Sequence, residues 1–215
     1  TGIESMDLFI SHTHLEDADG AAAQSHYSER LVRISLPPTY LYPTTPPAAA
    51  DTPDLSFAEG RAIYCVPQTL YKIHPEFDPL LARILKADPD AVAVFIEGLP
   101  GWSDALRARW RALDSNMNAR IHFLGRLGQQ GFLALLQASR VVLDPVHFSG
   151  GISSAEALGL GVPIVTWPLT PLLFGRVTHA YYRQIGVTEL TADGTDEYVE
   201  LAVRLSRDKE WRERM

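Results

Sequence analysis

The sequence predicts a doubly wound α/β fold, a parallel sheet with helices on both faces. Strand-like and helix-like runs alternate from residue 61 onward, the rhythm of successive βαβ crossovers. Several strand candidates are unbroken apolar runs rather than alternating ones, as parallel strands covered on both faces require. At 215 residues, with 46% hydrophobic and 21% charged side chains, the chain has the composition of a globular protein with a full core, which excludes disorder over most of its length.

In chain order, strands are expected at 7–11 and 31–34, with a short helix between them. This segment, 1–36, reads as the tail of a preceding α/β lobe. Pro37, Pro38, Pro43, Pro46, Pro47 and Pro53 follow; a run so rich in proline suits neither helix nor central strand, so 37–60 reads as a semi-rigid linker between domains. Residues 61–215 then form the main domain, with strands at 61–66, 91–97, 120–124, 140–144 and 163–167. Phe77, Leu80, Leu81, Ile84 and Leu85 fall at i, i+3, i+4, i+7 and i+8, and Trp102, Leu106, Trp110 and Leu113 make a second helical stripe. Phe132, Leu133, Leu135 and Leu136 mark a third helix, and Tyr198, Leu201, Ala202 and Leu205 a fourth. The chain opens on Thr1 and stops at Met215 inside a charged helical pattern, so a piece of a longer protein is expected.

Nineteen Lys and Arg stand against 26 Asp and Glu, a formal charge of −7. Without a basic block, nucleic-acid binding, which depends on neutralising phosphates, is not expected. The single cysteine, Cys65, excludes an internal disulfide framework and a Cys-based zinc site. It fits a reducing compartment, and the first residues lack a basic-then-apolar leader; a cytoplasmic location is expected. Residues 157–175 carry no charge, yet Pro163, Pro168 and Pro171 with Gly159 and Gly161 would leave backbone groups unpaired in lipid. A buried strand followed by a Pro-rich loop is the expectation there, not a membrane span.

In open α/β sheets ligands bind beyond the carboxyl ends of the strands, and three loops there carry chemistry. Pro67-Gln68-Thr69-Leu70-Tyr71-Lys72 places an ammonium between a strand end and a helix start, where it can meet phosphate; a solvated surface lysine is the plain alternative. Asp144-Pro145-Val146-His147-Phe148-Ser149-Gly150-Gly151-Ile152-Ser153-Ser154-Ala155-Glu156 combines paired glycines, which let backbone approach a ligand, with a helix N-terminus suited to an anion. Glu156 can accept both hydroxyls of a ribose. Ser153-x-x-Glu156 also reads as a capping box needing no ligand. Gly125-Arg126-Leu127-Gly128-Gln129 can present backbone groups to a base edge, or is only a turn.

Other motifs are absent or incomplete. Neither a G-x-G-x-x-G nor a G-x-x-x-x-G-K-[ST] pattern is present. Gly151-x-Ser153-x-Ala155 imitates a hydrolase elbow, but no histidine follows Asp193 or Asp196 to complete a triad. His12-x-His14 lacks a third ligand at a recognisable spacing, and spacing selects no catalytic histidine among His26, His74, His122, His147 and His179.

Taken together, Cys65-Val-Pro-Gln68-Thr-Leu-Tyr-Lys72-Ile-His-Pro75, Gly150-Gly-Ile-Ser-Ser-Ala-Glu156-Ala-Leu-Gly-Leu-Gly-Val-Pro163 and Gly175-Arg-Val-Thr resemble the O-linked N-acetylglucosamine transferase/SPINDLY family. His26-Tyr-Ser-Glu-Arg-Leu-Val-Arg33 is similar to that family's run before its interlobe linker. The likeness covers nearly the whole chain. It implies a GT-B fold of two Rossmann-like lobes, here the C-terminal lobe with a remnant of the N-terminal one, and transfer of a sugar from UDP, as UDP-GlcNAc, to protein Ser/Thr hydroxyls with inversion. The donor would contact Gln68, Thr69, Lys72, Leu127, Gly150, Gly151, Ile152, Ser153 and Glu156. Lys72 would stabilise departing UDP, the backbone near Leu127 would pair with uracil, residues 151–153 would line the pyrophosphate, and Glu156 would take the ribose. Helix N-terminus plus lysine offsets charge on a leaving diphosphate without metal, so no metal or other cofactor is expected. Animal members carry His-Thr-Thr at 151–153 and Asp at 156; the variant here resembles a bacterial branch. The family's candidate base, most of its acceptor groove and its tetratricopeptide repeats would lie outside this chain, which alone is expected to be inactive. A nucleotide-sugar epimerase sharing the lobe, and a non-catalytic nucleotide-sugar-binding module, are the alternatives.

Overall fold

A computed structural model describes residues 2–16, 19–35, 43–48, 50, 52–170 and 172–215; Pro37 and Pro38 of the expected linker, and Pro171, lie outside the described residues. The first sheet is a parallel pair, β1 (Leu8–His12) and β2 (Arg30–Ile34), joined through α1 (Gly20–Ser25). Asp19 caps α1 by accepting from the Ala21 N–H at 2.9 Å.

The second sheet is the centre of the molecule. Its strands are β3 (Ile63–Val66), β4 (Val92–Ile96), β5 (Ile121–Leu124), β6 (Val141–Leu143) and β7 (Ile164–Val165). All are parallel, in the spatial order β5-β4-β3-β6-β7. Six helices follow or connect them: α2 (Phe77–Ala87), α3 (Trp102–Leu113), α4 (Gln129–Ala138), α5 (Ile152–Gly159), α6 (Val177–Ile185) and α7 (Thr195–Arg207), with α8 (Lys209–Arg214) closing the chain. The expected doubly wound parallel α/β fold is what forms. Every residue of β3 and β6 is buried, which is why their sequences do not alternate. The predicted stripe on α2 is buried in full, with Phe77, Leu80, Leu81, Ile84 and Leu85 all in the core.

Two elements differ from expectation. The last strand shrinks to Ile164–Val165, and Thr166 makes only an isolated bridge to Thr191. Helix α6 was not foreseen, because its sequence Val-Thr-His-Ala-Tyr-Tyr-Arg-Gln-Ile mixes β-branched and aromatic residues of modest helix propensity. Tertiary contacts decide instead: the Tyr182 hydroxyl donates to the Ile164 carbonyl at 2.7 Å and accepts from the Ile164 N–H at 2.9 Å, tying α6 to β7. Gly186, with φ of 76°, ends the helix in the left-handed conformation. Within 37–60, the final part packs on the sheet domain: Ala58 joins its core, and Phe57 stacks on His122 at 4.0 Å.

Buried carboxylates hold the helices to the sheet away from the site. Asp78 accepts from Trp110 Nε1 at 2.8 Å and pairs with Arg109 Nε at 2.6 Å, joining α2 to α3. Asp88 accepts from the Tyr64 hydroxyl at 2.9 Å and the Ser206 hydroxyl at 2.6 Å, anchoring the end of α7. Among the described residues no helix is long and apolar enough to cross a membrane. Cys65, in the middle of β3, is fully buried, and burial pushes its thiol up to about 12. Since the thiolate is the reactive form, a thiol reagent at neutral pH should leave the native protein unlabelled and label it once denaturant is added; rapid native labelling would mean that the sheet opens.

Candidate functional site

The winding order creates the site. From β3 the chain moves outward through β4 to β5, then crosses back to β6 and continues to β7. Neighbours β3 and β6 therefore send their following loops in opposite directions, and the crevice at such a switch point is where open α/β sheets bind ligands. The Gln68–Lys72 loop follows β3 and the Gly-rich loop follows β6.

The two loops touch through polar side chains. Gln68, buried, donates from Nε2 to Ser153 Oγ at 2.6 Å, and its Oε1 accepts from Lys72 Nζ at 3.1 Å. Lys72 closes a short 3-10 turn and lies 4.3 Å from the centroid of the Phe148 ring, a cation–π contact from the opposite loop. Partial burial pulls the Lys72 ammonium below its usual range, and the buried Asp144 carboxylate works against that shift. Phe148 in turn stacks on Phe174 at 5.2 Å.

Asp144 organises the Gly-rich loop. Its Oδ2 accepts from Ser149 Oγ at 2.6 Å and Thr166 Oγ1 at 2.8 Å, and its Oδ1 accepts from the Gly150 N–H at 2.8 Å. Burial raises the carboxyl, while these donors favour its ionised form. Ser149 Oγ also accepts from the Thr178 N–H at 3.0 Å, and Thr178 Oγ1 lies 2.8 Å from both Ser149 Oγ and Ser154 Oγ. This network links the ends of β6 and β7 to the starts of α5 and α6. Gly150 has room for no side chain: a Cβ there would meet Ser154 Oγ and would lie 2.6 Å from Gln68 Nε2. Gly151, which caps α5, faces open space where a Cβ would stand, so a ligand can reach the backbone there.

Beside the loops lies a cavity of about 520 Å³, lined by Pro43, Thr44, Thr45, Gln129, Gln130, Leu133, Ile152, Ala155, Glu156 and Gly159. That volume lies within the usual range for small-molecule sites. Burial raises the Glu156 carboxyl, and a hydrogen bond from Gln129 opposes the shift. Thr44 seals one side; a Cβ on Gly159 would stand 2.6 Å from its Oγ1.

Gln68, Lys72, Gly150, Gly151, Ile152, Ser153 and Glu156 thus gather around one crevice and its cavity. Thr69 is exposed at the start of the 3-10 turn, and the Leu127 side chain packs on the core instead of lining the cavity. The capping box is not formed: Gly151 is the N-cap, no side chain caps α5, and Ser153 Oγ is engaged by Gln68. Sequence reasoning gave no role to Asp144, Ser149, Thr166 or Thr178, whose side chains meet one another across up to 29 residues, nor to Thr44 as a cavity wall.

The profile of Glycosyl transferase family 41 matches residues 52–215. The Petunia hybrida protein named "Probable UDP-N-acetylglucosamine--peptide N-acetylglucosaminyltransferase SPINDLY" is 27% identical over 219 residues, covering 97% of this chain and 22% of its own length. This chain therefore spans under a quarter of that relative. Among solved structures, a Thermobaculum terrenum O-GlcNAc transferase mutant superposes with a TM-score of 0.79 at 30% identity, covering 97% of this chain and 39% of its own. A UDP-GlcNAc 2-epimerase from Neisseria meningitidis, bound to UDP-GlcNAc, shares the fold alone, with a TM-score of 0.51 and 16% identity over 72% of this chain and 38% of its own. With a parallel α/β lobe, a switch-point crevice and a profile match spanning most of its length, the chain belongs to glycosyl transferase family 41.

Proposed function

We infer that this chain is the donor-binding part of an inverting transferase that moves N-acetylglucosamine from UDP to serine and threonine hydroxyls of proteins. The observation that carries the reading is the polar bridge Lys72–Gln68–Ser153 across the mouth of the Gly-rich loop, beside a cavity containing Glu156. The name of the Petunia protein supports that donor and a peptide acceptor, and the name of the Thermobaculum protein supports O-GlcNAc transfer.

In this reading the pyrophosphate lies over residues 151–153, where the first N–H groups of α5 have no partners within the helix. Glu156 accepts the ribose hydroxyls, and uracil lies against the backbone near Leu127. The acceptor oxygen bonds to the anomeric carbon while the carbon–oxygen bond to UDP breaks on the opposite face. The bonding pair leaves with UDP, whose growing charge Lys72 and the α5 dipole offset without a metal ion. The hydroxyl proton passes to a base in an N-terminal lobe, so the chain by itself turns over no sugar. We assign residues 1–36 to that lobe and 37–60 to the connection. Leu8 and Ile10, 50% and 58% exposed on a sheet that has two strands among the described residues, support a larger sheet around β1 and β2.

Replacing Glu156 with alanine distinguishes this nucleotide site from a bare anion site. UDP should bind on the order of tenfold more weakly, the worth of one charge-assisted hydrogen bond pair, while inorganic pyrophosphate binds as before. Equal loss for both ligands in calorimetry, or none for UDP, would remove Glu156 from the ribose position.

A further inference from the structure

The loops of the crevice also bring together three side chains that sugar transfer does not use. His74 and Glu76 follow Lys72 on the loop after β3, and His147 precedes Phe148 on the loop after β6. His147 Nε2 lies 2.7 Å from Glu76 Oε2, and the His74 and His147 rings meet edge to face at 4.6 Å. One ligand atom from each residue lies within 4.8 Å of the other two. His147 is also the single non-glycine of positive φ among the described residues, at 70°. A left-handed backbone at a residue other than glycine is uncommon and points to a local requirement.

We propose that His74, Glu76 and His147 form a binding site for a divalent transition cation of the zinc class, which clasps the loop after β3 to the loop after β6. Two imidazoles and one carboxylate are borderline donors that suit zinc, whereas magnesium and calcium take oxygen alone. Three protein ligands leave a fourth position for water. Around a tetrahedral zinc, ligand atoms lie about 3.4 Å apart given metal–ligand bonds of roughly 2.0–2.1 Å. Rotation of the two exposed side chains, His74 and Glu76, can close the remaining gap. The ion displaces two contacts, the His147–Glu76 pair and the 3.3 Å hydrogen bond from the Glu76 N–H to His74 Nδ1. An ion pair as exposed as the first contributes little by itself. The clasp does not replace Lys72 in the chemistry, and it stands whether or not UDP is the donor. Its consequence is mechanical: the loops bearing Lys72 and Phe148 become cross-linked.

The test is calorimetric titration of zinc chloride into the untagged chain in chelator-free buffer, with cobalt(II) substitution read by visible absorption. One zinc per chain should bind in the micromolar range, and cobalt should give the intense bands of a tetrahedral site. His74→Ala and His147→Gly should each weaken zinc by at least about tenfold, or roughly 1.4 kcal/mol. Glycine preserves the left-handed backbone at 147, and His74 is an exposed loop residue, so both variants should keep the wild-type melting curve; if His147→Gly melts lower, His74→Ala decides. His14→Ala, at the other histidine pair, should leave zinc binding unchanged. Binding that survives His74→Ala, binding abolished by His14→Ala, or no saturable micromolar binding would each overturn the proposal.

Discussion

Replacing Asp144 with alanine should destabilise the protein by about 3–5 kcal/mol, because three buried neutral donors lose their shared acceptor. The Ser149 hydroxyl, the Thr166 hydroxyl and the Gly150 N–H would all lose their acceptor at once. Each buried donor left unpaired costs roughly 1–3 kcal/mol, and relaxation makes the sum less than additive. Asp144→Asn keeps one acceptor oxygen and should lose less. Urea melts give the comparison directly: the midpoint should fall for both variants, further for alanine, with little change of slope. Because Asp144 holds Gly150 in place, surviving Asp144→Asn protein should also bind UDP more weakly. An alanine variant with the wild-type midpoint would mean that the network contributes nothing to the loop.

Lys72→Ala should do the reverse, sparing stability and removing ligand affinity. Lys72 makes one hydrogen bond and one cation–π contact in a partly exposed position, so the melting temperature should hold. A charge-assisted contact to diphosphate is worth about 1.5–3 kcal/mol, so UDP should bind on the order of tenfold to a hundredfold more weakly in calorimetry. Uridine, lacking phosphate, should bind both proteins alike. Lys72→Arg keeps the charge but presents a planar fork in place of a compact ammonium, and should recover only part of the loss. Unchanged UDP affinity in Lys72→Ala would take Lys72 out of the cradle.

The contrast between these residues shows what was legible in the sequence. Continuous apolar runs and helical stripes are local signals, so β3, β4, β6, α2 and α3 could be placed from residues alone. Gln68, Lys72, Gly150 and Glu156 stand in loops whose composition already suggests a phosphate cradle. Their mutual contacts depend on β3 and β6 being neighbours, a property of strand order that no local pattern encodes. The anchoring network was hidden for the same reason. Asp144 reads as a strand end and Thr178 only as the close of the Gly175-Arg-Val-Thr motif, with no contact assigned to either, because Ser149, Thr166 and Thr178 meet only after α5 and β7 have wound back over the sheet. Thr44 was hidden by its surroundings: a proline-rich run predicts stiffness, not the surface it lies against. Helix α6 was lost to propensity, which Tyr182 overrides by holding β7 at both polar groups of Ile164.

The measurement that tests the central claim most directly is an amide NMR titration of the 23.8 kDa chain with UDP. A donor cradle at the switch point predicts saturable shifts confined to residues 68–72, 125–130 and 149–156 and to Thr44 and Thr45. A different surface also offers cations, the groove between α2 and α7 lined by Arg83, Arg204 and Arg207. Shifts centred there, or a folded chain that shows none at millimolar UDP, would contradict the account.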